Sequence, residues 1–161
     1  MTPRVAKLAP DQYDRTRWGP GPWDDEPDIV EWLHPATRLP CLAARGTVGS
    51  WCGYVAIPEG HPDHGIDYGQ LDEHYDIHGG LTWSSDSMPH AADSEGRWWW
   101  IGFDCIHSRD IAPELEATNR MFSSFSTEPY DDVLGPRSYK TLGYVEAEVS
   151  QLAHQVAARV A

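Results

Sequence analysis

Residues 39–58 read "LPCLAARGTVGSWCGYVAIP". Two apolar runs flank a glycine-bearing "GTVG", and Pro58 ends the second run. Runs of this length on either side of a turn signal predict a β-hairpin. Cys41 and Cys52 are expected close together across it, both as small buried side chains. Downstream, "GLTWSS" (80–85) reads as a third strand and "RWWWIGFDCIH" (97–107) as a fourth. Upstream, "DIVEWLH" (28–34) reads as a short helix capped by Asp28 and stopped before Pro35. The stretch before it contains "WGPGPWDDEPD" (18–28), which suits neither a helix nor a central strand. Residues 1–27 are therefore taken as an irregular N-terminal arm, pinned to the domain by Trp18 and Trp23.

The far end carries the strongest periodicity. Leu142, Val145, Val149, Leu152 and Val156 follow 3, 4, 3, 4 spacing, and Thr141 precedes them as a cap. This predicts one long amphipathic helix whose apolar stripe covers a sheet face. Between the strong signals, "YGQLDEH" (68–74) suggests a helical turn and "IAPELEA" (111–117) the start of a short helix. "DSMPHAADSEG" (86–96) is expected to be an exposed, mobile loop, and "SSFSTEPYDDVLGPRS" (123–138) another irregular segment. With no internal repeat or dividing linker, residues 28–161 form a single α+β domain. Its sheet is mainly antiparallel and is covered by the C-terminal helix.

The 161 residues suffice for a substantial core. Net charge is −13, which disfavours binding of nucleic-acid backbone by a basic stripe. The acidic surface leaves open a protein-interaction inhibitor or DNA mimic. Mean hydropathy is −0.53, and no apolar run approaches the roughly 20 residues that span a bilayer. The N-terminal residues lack the apolar core of a secretion signal, so a cytoplasmic location is expected. Three cysteines without a CxxC pair argue against a disulfide framework and against a structural zinc site of the usual kind.

Chemistry concentrates in "HYDIHGGLTW" (74–83) and "WWWIGFDCIHSRD" (98–110). Strand alternation puts Trp99, Ile101, Phe103, Cys105 and His107 on one face, and Trp98, Trp100, Gly102, Asp104 and Ile106 on the other. Three readings compete. Cys105 is a nucleophile with His78 as its base. Alternatively, a divalent metal is held by some of His61, His64, His78, His107, Asp104 and Asp110. In the third, His78, Asp104 and His107 handle protons or hydrogen bonds to a ligand stacked on aromatic rings. The Gly79 and Gly80 amides would receive an oxyanion or phosphate. Asp110 would support the catalytic set His78, Asp104 and His107. Thr82, Trp83 and Trp100 would line the pocket, and Tyr144 and Glu148 lie one helical turn apart and could reach it. If the site is real, His78 and His107 must lie within about one ligand's width of each other.

The stretches "LPCLAAR", "CGYVAIPEGHPDHG", "HGGLTW", "WWWIGFDCIHSRD" and "YKTLGYVEAEVSQLAHQ" together resemble a family of small, largely uncharacterised accessory proteins encoded by bacteriophages and prophages. The resemblance covers most of residues 39 to 155. It departs at Ile106, where small residues are usual, and at the longer "SMPHAADSEG" loop, and it leaves out the N-terminal arm. It implies an accessory role, not a virion part. Accessory proteins of this size commonly disarm host defence, often by hiding or cutting a nucleotide-derived signal. The leading expectation is a His/Asp/Trp-lined pocket that binds a small nucleotide-derived molecule, with hydrolysis and plain sequestration both open.

Overall fold

In the computed structural model, residues 4–91, 97–123 and 137–160 are described, the side chains of 119–123 excepted. Six strands form one antiparallel sheet: β1 (Val5–Lys7), β2 (Ile29–Leu33), β3 (Pro40–Arg45), β4 (Trp51–Pro58), β5 (Trp83–Ser85) and β6 (Trp98–Asp104). Their spatial order is β1-β2-β3-β4-β6-β5. Among the described residues, three α-helices accompany the sheet: α1 (Tyr68–Leu71), α2 (Pro113–Ser123) and α3 (Leu142–Ala158). The architecture is α+β, as the hairpin and the C-terminal periodicity predict. Among the described residues, no helix is long and apolar enough to cross a membrane.

Both faces of the sheet are covered. Alternation in β3, β4 and β6 sends Cys41, Ala43, Val55, Ile57, Ile101 and Phe103 to one face. There they meet Leu142, Val145, Val149, Leu152 and Val156 of α3. Thr141 caps α3 by accepting the Tyr144 N–H. Gly53 lets the helix come close, because a Cβ there would lie 2.6 Å from both Phe103 and Val149. The second face buries Leu42, Ala44, Ala56 and Trp100 against Tyr13, Trp18 and Trp23 of the N-terminal segment. Trp18 and Trp23 do pin that segment. It also contributes β1, which pairs Val5–Lys7 with Ile29–Glu31.

Three sequence expectations are corrected. Residues 29–33 are a strand, not a helix, paired with both β1 and β3. Seven residues are too few for a helix to persist on propensity alone, while Ile29, Val30 and Trp32 favour a pleated, two-sided burial. Asp28 therefore caps nothing. Its carboxylate accepts from Ala9 N, Arg15 and Arg45 instead. Cys41 and Cys52 are not cross-strand neighbours: Cys41 faces Val55 and Cys52 faces Ala44. The loop at 86–96 is not wholly exposed, because Met88 is buried among the second-face residues; positions 92–96 lie outside the described residues. The irregular stretch at 123–138 lies mostly outside them as well.

Candidate acid–base site

The strand β6 ends where its own side chain turns the chain. Asp104 Oδ1 accepts the Ile106 N–H at 3.3 Å, and Asp110 Oδ2 accepts the His107 N–H at 3.0 Å. These bonds fold 104–110 into a compact turn, which a pairing of Ile111 N with Ser138 O then anchors. Asp110 ends up only 6 % exposed.

A second turn delivers His78. Ile77 O accepts the Gly80 N–H, and Asp72 Oδ1 accepts the Leu81 N–H at 2.7 Å. From α3, Glu148 Oε2 accepts the His78 backbone N–H at 2.9 Å. The His78 ring then lies between two partners: Nδ1 is 2.8 Å from the Tyr144 hydroxyl and Nε2 is 2.8 Å from Asp110 Oδ2. His107 Nδ1 approaches the same Asp110 oxygen at 3.2 Å. Lys140 Nζ pairs with the other, Oδ1, at 3.1 Å. The two imidazole centroids are 5.3 Å apart, which satisfies the proximity the site required.

Burial alone would raise the Asp110 carboxyl. Hydrogen bonds from His78, from the His107 amide and from Lys140 outweigh it and hold the group below the usual carboxylate range. An ionised carboxylate only accepts, so the ring nitrogens facing it carry protons. His78 then carries its proton on Nε2, and its Nδ1 accepts a hydrogen bond from the Tyr144 O–H. His107 is protonated on Nδ1, which leaves Nε2 on its more open side, 3.7 Å from Asp104 Oδ1. The His107 side chain is 37 % exposed, against 14 % for His78. Burial, then the charges of Glu148, Cys105 and Asp110, push the Tyr144 phenol upward, so it stays a proton donor at neutral pH.

The structure thus brings together His78, Asp104, His107, Asp110, Tyr144 and Glu148. Other expected members are elsewhere. Trp100 is buried on the opposite sheet face, and Trp83 stacks edge-on against Tyr54 among the same second-face residues. Thr82 gives its N–H to Gly102 O and so serves the seam between β5 and β6. The two glycines are not a pair of open amides, since the Gly80 N–H is consumed by its own turn. Their role is steric. Both have positive φ, and a Cβ on Gly79 would lie 2.1 Å from the His107 ring, one on Gly80 2.7 Å from Asp72 Oδ1. Exposed Tyr144 and Ile106 lie at the site in place of the expected tryptophans.

Two further readings fall. Cys105 is 1 % exposed, and burial followed by the nearby Asp110 raises its thiol, the reverse of an activated nucleophile. His61 uses both nitrogens structurally, with Nε2 on Val156 O at the end of α3 and Nδ1 accepting from Asp63 N. It is no partner for a metal in "GHPDH". Lys140 is the member that residue patterns did not single out. It stands one residue before the α3 cap, on the same helix end as Tyr144, and no spacing in the sequence ties it to Asp110. A separate hollow of about 280 Å³, lined by Gln12, Tyr13, Arg17, Trp18, Thr47 and Glu114, shares no residue with the cluster. Comparison of the chain with protein families, with curated proteins and with solved structures gives no match.

Proposed function

We propose that the chain is a phage-type accessory protein that binds a small phosphate-bearing, nucleotide-derived molecule at this cluster and hydrolyses it by general acid–base catalysis. One observation carries the reading: Asp110 Oδ2 receives both His78 Nε2 and His107 Nδ1. That shared carboxylate fixes both tautomers and gives the two arms different tasks. His107 Nε2 takes a proton from water as the water oxygen bonds to phosphorus. Tyr144 gives its proton to the leaving oxygen as the old P–O bond breaks. To reset the site, His78 takes a proton from solvent and passes it from Nδ1 to the phenolate, and His107 Nε2 releases its proton to solvent. Lys140, paired with Asp110 Oδ1, is the cation of the cluster through which an anionic ligand would be held by a chain of net charge −13. The exposed Tyr144 ring offers a face for a nucleobase.

The test is incubation of the purified protein with a panel of cyclic and linear nucleotides, read by mass spectrometry. Conversion should occur with the wild type and fall by roughly 10²–10⁴-fold in His107→Ala, the usual contribution of a positioned base. Binding of an intact nucleotide without conversion would make the protein a sequestering one. Neither binding nor conversion would sink the reading and shift attention to the acidic surface and a protein partner.

A further inference from the structure

The same three side chains raise a question that proton transfer alone does not answer. His78, His107 and Asp110 each offer a ligand atom, and all of these atoms lie within 4.8 Å of one another. We infer that the cluster is a binding site for one divalent transition-metal ion of the zinc type, taken by His78 Nε2, Asp110 Oδ2 and His107 Nδ1. The metal-bound state puts the His107 ring proton on Nε2, so it is an alternative to the metal-free acid–base state, and it holds whether or not a substrate is turned over.

The donor set is the first reason. Two imidazoles and one carboxylate suit zinc, cobalt or nickel, whereas magnesium and calcium prefer oxygen alone. Spacing is the second. Bonds of about 2.0–2.1 Å in a tetrahedron set neighbouring ligand atoms roughly 3.3 Å apart. Asp110 Oδ2 stands 2.8 Å from His78 Nε2 and 3.2 Å from His107 Nδ1, so these two gaps open by about half an ångström or less, while the gap between the two imidazole nitrogens, within 4.8 Å, closes onto the ion. A fourth ligand, such as water, would complete the tetrahedron.

The third reason is the set of partners behind the ligands. A histidine that binds a metal must move its ring proton to the other nitrogen and find an acceptor there. His78 does: its Nδ1 faces the Tyr144 hydroxyl oxygen at 2.8 Å. His107 Nε2 has Asp104 Oδ1 3.7 Å away, a gap that must close for a hydrogen bond to form. Two tautomer switches thus free the nitrogens that now point at Asp110. The carboxylate keeps the His107 amide on Oδ2 and Lys140 on Oδ1, which holds it to one-oxygen coordination. Glu148 fixes the His78 backbone throughout.

The experiment is a titration of chelator-treated full-length protein with Co²⁺, followed by its visible absorption, then displacement by Zn²⁺. The wild type should give an intense, low-symmetry spectrum that saturates at one equivalent per chain. His107→Ala changes a half-exposed ligand and should abolish the spectrum; Tyr144→Phe removes only the acceptor behind His78 and should weaken binding about 10–100-fold. His64→Ala should bind as the wild type does. A flat spectrum in the wild type, or one that His107→Ala leaves intact, overturns the inference. Nucleotide conversion does not enter this readout, so the two proposals fail separately.

Discussion

Gly79→Ala tests the geometry of the cluster without removing any of its polar groups. Two costs arise. The backbone has φ +67 at this position, and an L side chain in that region costs about 1–2 kcal/mol, less roughly 0.4–1 returned by stiffening the unfolded chain. The new methyl would also lie 2.1 Å from His107 Cε1, where a relaxed contact is about 3.5–4 Å. The imidazole must retreat by over an ångström and give up its 3.2 Å bond to Asp110. Because the ring can swing into solvent, that loss is about 1 kcal/mol. The variant should therefore unfold about 2 kcal/mol more easily than the wild type. In a His107→Ala background only the backbone part, about 1 kcal/mol, should remain. Urea unfolding of the four proteins in this cycle measures the difference, an expected coupling near 1 kcal/mol. Equal costs in both backgrounds would show that His107 does not lie against Gly79, and the placement of the exposed base would fail with it.

Other expectations rest on the far end of α3 and on its cap. Asp63 accepts Arg159 Nε at 2.6 Å and Nη2 at 3.0 Å, and also the Tyr75 hydroxyl. The Arg159 bonds, against burial and with help from Tyr75, lower its carboxyl to about 2. A depressed carboxyl stabilises the fold above its unfolded pKa and ceases to do so as pH falls through the folded value. The contribution is roughly 2 kcal/mol at neutral pH, fading between about pH 4 and pH 2. Asp63→Asn should lower neutral stability by about that much and remove the corresponding slope from a plot of stability against pH. A slope unchanged in the variant would place the acid sensitivity elsewhere. Thr141→Ala deletes the bond to Tyr144 N and should cost about 1 kcal/mol, measured by thermal unfolding. It should also disturb the His78 ring signals in NMR, since Tyr144 begins at that cap.

What the sequence revealed, and what it hid, follows from period and range. The stripe of α3 is legible because five apolar residues repeat at helical spacing. The faces of β6 are legible because its alternation is unbroken from Trp98 to Cys105. β2 is not, for a strand buried on both faces loses its alternation, and Ile29, Val30, Trp32 and Leu33 fit a helical spacing equally well. In the site, Tyr144 and Glu148 could be paired from their one-turn separation, and both meet His78. Strand parity places Trp100 opposite Ile101 and Phe103, and the structure holds to it up to Asp104; the turn after Asp104 breaks it and brings Asp104 and His107 together. The glycines misled for a different reason: "HGG" signals positive φ and close approach, but sequence does not say whether the approaching group is a ligand or the protein itself. Here the approaching groups are His107 and Asp72. Lys140 reaches Asp110 across a separation of 30 residues, a contact no local pattern encodes.

Asp110 makes structure and chemistry inseparable at this site. Its carboxylate joins three segments that each have their own local restraint: the 77–80 turn, the 104–110 turn and the start of α3. With three N–H donors on Oδ2 and Lys140 on Oδ1, it is a buried charge whose lone pairs are filled before any ligand arrives. The cluster is therefore preorganised, and its cost in desolvation has been met by the fold. The same fact limits what Asp110 can reveal. An asparagine there presents an NH₂ group to His78, His107 or Lys140, and breaking a buried pair of this kind typically costs about 3–5 kcal/mol. Loss of activity in Asp110→Asn would then report unfolding as readily as catalysis. His107 is the residue at which the two separate. It is half-open, it contributes one side-chain bond to the network, and its removal leaves the Asp110 carboxylate with His78, Lys140 and the backbone amide of position 107. A His107→Ala protein that keeps its unfolding free energy within about 1 kcal/mol of the wild type and loses either turnover or cobalt binding assigns the chemistry to this imidazole and not to the scaffold.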